Sequence, residues 1–190
     1  MILYTVTKQK EANWLTDSLF FDTDCISAFL WVHNESLLPQ LYPGKIVLPR
    51  PVYVELSNPR TSHLKARIDT MLAKGQLVIK DIVVGTAEYN TYYELTENPT
   101  IGHKTIGDGE AASIALAKEK GGIVASNNLR DISGYIKEYH LNHKTTGDIL
   151  FEALQQGLIT EAEGNTIWAA MLRKRRKLGA PTFSDYIKNQ

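Results

Sequence analysis

The sequence predicts an α/β protein in which a mainly parallel central sheet lies between two layers of helices, a three-layer α/β/α arrangement. Short apolar runs typical of buried strands alternate with longer segments whose apolar residues recur at helical spacing. Each helical segment is long enough to cross the sheet and return the chain for a parallel strand. Near the C-terminus, two helical segments follow one another without a strand between them, which predicts a helical C-terminal extension.

The predicted strands are short and largely apolar, as expected when both faces of a parallel sheet are covered. They span residues 19–21, 46–48, 77–84 and 123–125. Local signals mark the helices between them, since Pro51 suits a first helical turn, Thr86 an N-cap and Gly121 a helix end. The predicted helices span residues 24–33, 51–56, 62–74, 87–96, 107–120, 148–156 and 161–177.

Composition narrows the class of protein. The chain has 190 residues, of which 43% are hydrophobic and 22% charged, and this balance indicates an ordered globular protein. The formal net charge is zero, which argues against a protein that coats nucleic acid through charge alone. The single cysteine, Cys25, allows no intrachain disulfide and fits the reducing cytoplasm. The sequence contains no apolar stretch of membrane-spanning length and no signal-peptide pattern at its start.

The strand–helix alternation also predicts how the chain is organised. We assign residues 1–17 to an N-terminal extension, residues 18–143 to the main α/β domain and residues 144–190 to a helical cap of that same domain. The N-terminal extension contains an apolar segment at residues 1–6, for which an added strand and a partner-binding segment are both open interpretations.

Four carboxylates stand where a metal-dependent enzyme would place them. Asp22 directly follows the first strand, and Asp131 follows the fourth strand by a few residues. Glu55 and Glu110 are expected near helix N-termini, where the helix dipole favours negative charge. Function collects at the carboxyl ends of parallel strands, so the four groups are expected to converge there. Clustered carboxylates repel one another, and a hard divalent cation relieves that repulsion.

The segments that carry these acids form an ordered set. They read FFDTDCISAFL (residues 20–30), LPRPVYVEL (48–56), GEAASIALA (109–117) and VASNNLRDI (124–132). In this order they resemble the PIN-domain family, and within it the VapC-type ribonuclease toxins. The resemblance covers residues 18–143, with Glu110 where many members have Asp and Ser126 in place of the commoner Thr.

The resemblance implies a PIN-like fold and a metal-dependent endoribonuclease. It implies that Asp22, Glu55, Glu110 and Asp131 are the catalytic residues and hold Mg²⁺ or Mn²⁺, directly or through waters. RNA is then the expected substrate. An antitoxin protein and a second copy of the chain are the expected partners.

Five neighbouring residues are candidates for supporting the four acids: Thr23, Asp24, Asp108, Ser126 and Asn128. The hydroxyls of Thr23 and Ser126 could hydrogen-bond the carboxylates or a metal-bound water, and Asn128 could orient Asp131. Asp24 and Asp108 could ligate a second cation, but both also suit a helix N-cap or first turn.

Two other functions remain open at this stage. A PIN-like module without catalytic activity could bind RNA or protein. Alternatively, Asp22-Thr23-Asp24 after an apolar strand resembles the nucleophile motif of the HAD phosphatases, with Gly147-Asp148 as a late acidic motif. In the nuclease interpretation, Thr146 or Asp148 caps a helix instead.

The densest basic run also allows two interpretations. It comprises Arg173, Lys174, Arg175, Arg176 and Lys177. These side chains could contact RNA phosphates. They could equally form a solvated helix end, where cations complement the helix dipole.

Overall fold

A computed structural model describes residues 17–99, 102 and 104–190 of the chain. At the centre of the described part is a five-stranded sheet in which every strand pair is parallel. The strands are β1 (Leu19–Phe21), β2 (Ile46–Pro49), β3 (Val78–Lys80), β4 (Ile123–Ala125) and β5 (Asn142–Lys144). Their spatial order is β3-β2-β1-β4-β5. The predicted α/β class with a parallel sheet is confirmed.

Helices occupy both faces of this sheet. Before β4 they are α1 (Thr23–Trp31), α2 (Leu37–Leu41), α3 (Arg50–Leu56), α4 (Ser62–Ala73), α5 (Ala87–Thr96) and α6 (Asp108–Lys120), with a 3₁₀ turn at Pro59–Thr61. After β4 they are α7 (Leu129–Glu138), α8 (Thr146–Gln155), α9 (Glu161–Arg173) and α10 (Phe183–Lys188). Within the described ranges, no helix has both the length and the apolar character needed to span a membrane.

Successive side chains along the strands point to opposite faces of the sheet, so one hydrophobic core forms on each face, between the sheet and a layer of helices. Leu19 and Phe21 point into one core, which they share with α1–α4 and α8–α10. Phe20 points the other way, into a second core with Val47, Val124 and the helices α5–α7. Successive strand side chains face opposite sides of a sheet, so three consecutive apolar residues fill both cores. Because both faces are covered, β1, β2 and β4 are continuous apolar runs.

The order of the strands creates a crevice beside β1. From β1 the chain builds outward through β2 to β3, then crosses back to place β4 on the other side of β1. Where the connections diverge in this way, the carboxyl ends of the two neighbouring strands leave a binding crevice. Asp22 follows β1 and Ser126 follows β4, so both lie at this crevice. The backbone N–H of Asp22 donates to the carbonyl of Ala125 at 2.9 Å and ties the two strand ends together.

Two strand predictions needed correction. The third strand was predicted over residues 77–84, but β3 covers only Val78–Lys80, and the chain leaves the sheet before a turn at Val84 and Gly85. The edge strand β5 was not predicted at all. Its residues, Asn142 to Lys144, are polar and partly exposed, so it lacks the apolar run by which a buried strand is recognised.

Two helix predictions were wrong at their ends. The last long helix was predicted over residues 161–177, whereas α9 ends at Arg173 and Arg175 adopts a left-handed backbone conformation with φ 59°. The N-cap of α8 is Thr145, not Thr146 or Asp148. Its hydroxyl accepts from the Asp148 N–H at 3.1 Å, while Asp148 Oδ2 accepts from the Thr145 N–H at 2.7 Å. The helices α2, α7 and α10 were not predicted, and the open question of a strand at residues 1–6 lies outside the described residues.

The C-terminal helices pack into the same core as the sheet. Ile149, Trp168 and Phe183 are buried in the cluster that contains Leu19 and Phe21. The strand β5 spans the boundary that we placed between residues 143 and 144. We therefore propose that the main domain and its helical cap unfold as one cooperative unit.

Truncating Trp168 tests this proposal. Its side chain is 1% exposed, and its ring nitrogen donates to the Ala180 carbonyl at 3.0 Å. Trp168→Ala should lower the free energy of unfolding by about 3–5 kcal/mol, because it removes a large buried side chain and leaves a cavity. Urea unfolding should still show a single transition by both circular dichroism and fluorescence. Tyr93→Ala, at a side chain that is 50% exposed, is the control. A separate early transition in Trp168→Ala would instead show that the cap unfolds independently.

Candidate functional site

A cavity of about 230 Å³ opens at the carboxyl end of β1. It is lined by Asp22, Thr23, Asp24, Glu55, Gly107, Gly109 and Glu110. Three of the four predicted acids therefore line one cavity, although they are separated by up to 88 positions in the chain. The fourth, Asp131, is not among the lining residues and joins the site through a neighbour.

Asp22 is the buried centre of the site. Its side chain is 1% exposed, and its Oδ1 accepts from the Cys25 N–H at 2.7 Å as the N-cap of α1. Its Oδ2 is buried without a hydrogen-bond partner among the described residues. Burial raises the pKa of Asp22 from 3.8 to about 7, and the Ser126 hydroxyl and Cys25 N–H offset only part of that effect. The site thus contains a carboxylate oxygen that lacks the partner a buried charge requires.

Glu55 is positioned by a helix other than its own. The prediction that it lies near the N-terminus of its helix is wrong, because Glu55 is in the last turn of α3. Its Oε1 instead accepts from the Gly109 N–H at 3.1 Å, in the first turn of α6. The Thr23 hydroxyl donates to the other oxygen, Oε2. Unpaired N–H groups and the dipole at the start of α6 therefore stabilise the negative charge.

Gly109 makes this contact possible because it has no side chain. A Cβ atom at this position would lie 3.1 Å from Glu55 Oε1, from Thr23 Oγ1 and from Val52 Cγ2. All three distances are shorter than ordinary van der Waals contacts. Gly109 was not predicted to be a site residue, although it directly precedes Glu110 in the sequence.

Asn128 connects the remaining two acids. Its amide nitrogen donates to Glu110 Oε1 at 2.5 Å and to Asp131 Oδ2 at 2.7 Å. The other oxygen of Glu110 accepts from the Gly107 N–H at 3.1 Å, which holds the carboxylate at the start of α6. The Asn128 N–H in turn donates to Ser126 Oγ at 3.1 Å. Asp131 thus belongs to a network that begins at β4 and ends at Glu110.

The other two candidates for a supporting role are first-turn residues. Asp24 lies in the first turn of α1 and lines the cavity, and Asp108 lies in the first turn of α6. Asp108 Oδ1 accepts from the Tyr92 hydroxyl at 2.9 Å. Asp24 Oδ1 lies 3.7 Å from Arg176 Nη1, which comes from the basic run near the C-terminus.

No role was predicted for Asn127, which lies in the segment VASNNLRDI, and in the structure it bonds to Thr146. Its Oδ1 accepts from the Thr146 N–H at 2.8 Å, and its Nδ2 donates to Thr146 Oγ1 at 2.8 Å. This pair of hydrogen bonds joins the loop after β4 to the first turn of α8. The loop that carries Ser126 and Asn128 is therefore anchored to the C-terminal helices.

The donor set fits a hard cation, although the carboxylates also hold one another in place. Within the described residues, no three His, Cys, Asp or Glu side chains are already drawn together as a ligand group. A bound cation would nevertheless supply the partner that the buried Oδ2 of Asp22 lacks. The carboxylate oxygens of Glu55 and Glu110, although hydrogen-bonded, keep lone pairs that can bind a metal. Oxygen ligands of this kind suit Mg²⁺ or Mn²⁺.

The fold and the site define a parallel α/β protein with an acidic cavity at the crevice beside β1, where the strand order reverses. A family model described as a PIN domain matches residues 18–189, so the chain belongs to the PIN-domain family. No curated protein matches the chain. Among solved structures, one described as FitAB bound to an IR36 DNA fragment contains a chain 15% identical to this one. That match covers 67% of this chain and 94% of the other, with a TM-score of 0.46.

Membership of this family removes the phosphatase alternative. Asp148, its proposed late acid, is bonded to Thr145 in the cap of α8 and accepts from the Tyr186 hydroxyl at 2.7 Å. Asp148 is not among the residues that line the acidic cavity.

The raised pKa of Asp22 predicts a specific pH dependence of stability. The folded-state pKa exceeds the ordinary value, so the folded protein binds more protons than the unfolded chain between about pH 4 and pH 7. The free energy of unfolding therefore falls as the pH rises from about 4, and the loss is complete once the pH has passed 7. Between pH 5 and pH 8 in EDTA, the wild type should lose roughly 2–3 kcal/mol relative to Asp22→Asn, measured by urea unfolding.

Asp17→Asn is the matched control for this experiment. Asp17 is exposed and precedes β1, at the opposite end of that strand from Asp22. Its substitution should leave the pH dependence of the wild type unchanged. Parallel stability curves for the wild type and Asp22→Asn would show that Asp22 does not carry this proton.

Substitution of Gly109 tests the packing around Glu55. In an open helix, Gly→Ala stabilises by about 1 kcal/mol. Here the close approach of Glu55, Thr23 and Val52 should reverse the sign, and Gly109→Ala should lower the free energy of unfolding by roughly 1–2 kcal/mol.

A double-mutant cycle identifies the cause. In a Glu55→Ala background, one of the three close contacts is gone, so Gly109→Ala should cost clearly less. An equal cost in both backgrounds would assign the effect to Val52 or Thr23 rather than to the displaced carboxylate.

Proposed function

We propose that the protein is a ribonuclease that requires Mg²⁺ or Mn²⁺ to hydrolyse phosphodiester bonds in RNA. The observation that carries the proposal is the buried, unpartnered Oδ2 of Asp22 in a cavity shared with Glu55 and Glu110. A fold gains nothing in stability from a carboxylate buried in this way. Perturbed groups of this kind concentrate at functional sites.

The proposed ligand set is built around Asp22. Asp22, Glu55 and Glu110 would hold the cation from the cavity wall, directly or through waters. Asp131 would act through Asn128, which donates to both Asp131 Oδ2 and Glu110 Oε1. Thr23 and Ser126 would position Glu55 and Asn128 by their hydroxyl groups.

The chemistry divides between the cation and the chain. When bound, Mg²⁺ or Mn²⁺ supplies an activated water and stabilises charge on the attacked phosphate. The chain keeps Asp22 away from bulk water and holds Glu55 and Glu110 with N–H donors from the start of α6. Without a cation, the clustered carboxylates repel a phosphodiester, so entry of the scissile bond into this cavity depends on the metal, whereas contacts that the strand makes outside the cavity do not.

A protein partner of the antitoxin type and a homodimer are further parts of the proposal. Exposed apolar side chains support a protein partner. Val54, next to Glu55, is 62% exposed, while Val83 and Val84, which follow β3 at the same edge of the sheet, are 56% and 75% exposed. Exposed apolar side chains of this kind suit a surface that a protein partner covers.

A catalytically silent PIN-like module is the second candidate, and one observation favours it. Both oxygens of Glu55 and both oxygens of Glu110 accept hydrogen bonds within the protein. Acids held in this way could serve only the structure. Binding of Mg²⁺ or Mn²⁺ to the wild type and to Asp22→Asn separates the candidates, because a silent module should show no difference between them.

The decisive measurement is cleavage of a mixed pool of RNA by the purified protein with Mg²⁺, with Mn²⁺ and with EDTA. The wild type should cut only with a divalent cation, and Asp22→Asn should lose at least about 100-fold in rate, as expected when an interaction essential to the transition state is removed. Asp17→Asn, prepared identically, should cut at the wild-type rate.

Each other outcome has a distinct meaning. Equal cutting by the wild type and Asp22→Asn would indicate a contaminant or a misplaced site. No cutting by the wild type, together with cation binding that Asp22→Asn does not alter, would support the silent module.

A further inference from the structure

A second cavity, of about 250 Å³, lies beside the acidic one. It is lined by Asp24, Asn127, Arg175, Arg176 and Lys177. Asp24 lines both cavities, so the two are direct neighbours. Three cationic residues and a single carboxylate line it, which gives this cavity an excess of positive charge next to the excess of negative charge around Asp22.

Arg176 is held in place rather than extended into solvent. Its side chain is only 24% exposed. Its Nε donates to the Lys174 carbonyl at 3.1 Å, and its Nη1 lies 3.3 Å from the hydroxyl of Ser27, a residue that is itself buried. A guanidinium carries five N–H donors, more than these contacts use. A fixed, planar set of donors suits bidentate recognition of a phosphate.

The end of α9 divides the basic run into two groups. The helix stops at Arg173, and Arg175, which lines the cavity, adopts a left-handed backbone conformation. Lys174 takes a different direction, with its Nζ 5.4 Å from the centre of the Trp31 ring. Only residues 175–177 of the five-residue run therefore line the cavity.

We propose that this cavity binds a backbone phosphate of single-stranded nucleic acid, one step along the strand from the bond held at the acidic cavity. That the bound nucleic acid is RNA rests on the proposed function. The lining side chains are cationic, carboxylate or amide groups, so they offer contacts to phosphate and no aromatic face for a base. Recognition would then be independent of sequence.

The test measures binding without cleavage. A fluorescein-labelled single-stranded RNA of ten nucleotides is titrated with the full chain in EDTA, and anisotropy is recorded at several salt concentrations. Arg176→Gln should weaken binding roughly tenfold, the value of one charge-assisted contact. It should also reduce the slope of log K against log salt by about 0.7, as expected for one lost phosphate contact.

Lys174→Gln is the matched control, because it removes the same charge from a neighbouring residue outside the cavity. It should change affinity less than twofold and leave the salt slope unchanged. A DNA strand of the same sequence should show the same dependence on Arg176, since both strands present phosphates. Thermal unfolding of each variant checks that the fold is retained.

The outcomes separate this proposal from the proposed nuclease activity. Equal effects of the two substitutions, or no binding by the wild type, overturn the phosphate site. Binding that depends on Arg176, in a protein that cuts no RNA with Mg²⁺ or Mn²⁺, supports the phosphate site and removes the nuclease. In a cutting enzyme, Arg176→Gln should raise KM and leave kcat near the wild-type value, as expected for a group that contributes uniform binding.

Discussion

The burial of one carboxylate, Asp22, is the constraint on which the rest of this structure depends. It lies at the end of the central strand, where its N–H bonds to Ala125 on the neighbouring strand and its Oδ1 caps the following helix. These contacts give hydrogen-bond partners to the N–H and to Oδ1 of Asp22 and fix the residue below the surface. They leave Oδ2 unpartnered, and burial raises the pKa to about 7. The fold thus maintains a locally unfavourable group at its strand switch point.

Acids around this centre are stabilised by backbone N–H groups instead of opposing side-chain charges. Glu110 lies in the first turn of α6, and Glu55 contacts that turn from another helix. Unpaired N–H groups and the helix dipole stabilise both negative charges there and offset their mutual repulsion. Glycine at position 109 leaves room for Glu55, since a Cβ atom there would lie 3.1 Å from Glu55 Oε1. The same helix start therefore organises two carboxylates from distant parts of the chain. Cationic side chains remain outside this cluster, in the neighbouring cavity, which explains how a chain of zero net charge can present both an acidic and a basic surface.

Much of the central fold could be predicted because buried parallel strands need apolar residues on both faces. The runs at residues 19–21, 46–48 and 123–125 carry that signal, and each is a strand. The strand at residues 142–144 could not be found in this way, since it is a partly exposed edge strand of Asn, His and Lys whose place is decided by pairing with β4. The end of α9 was misplaced for a related reason. Arg and Lys are good helix formers, and nothing local shows that Arg175 leaves the helix.

The sequence by itself determined the class of fold and the family resemblance and marked the four acids as candidates, because hydrophobic periodicity and short motifs are local properties of the chain. Only the tertiary structure decided how those acids are arranged. It placed Glu55 at the end of its own helix but against the start of another, and joined Asp131 to Glu110 through Asn128. It also separated residues 175–177 from the rest of their basic run. Burial, hydrogen-bond partners and the resulting pKa values arise from residues brought together across the fold, so no local pattern in the sequence contains them.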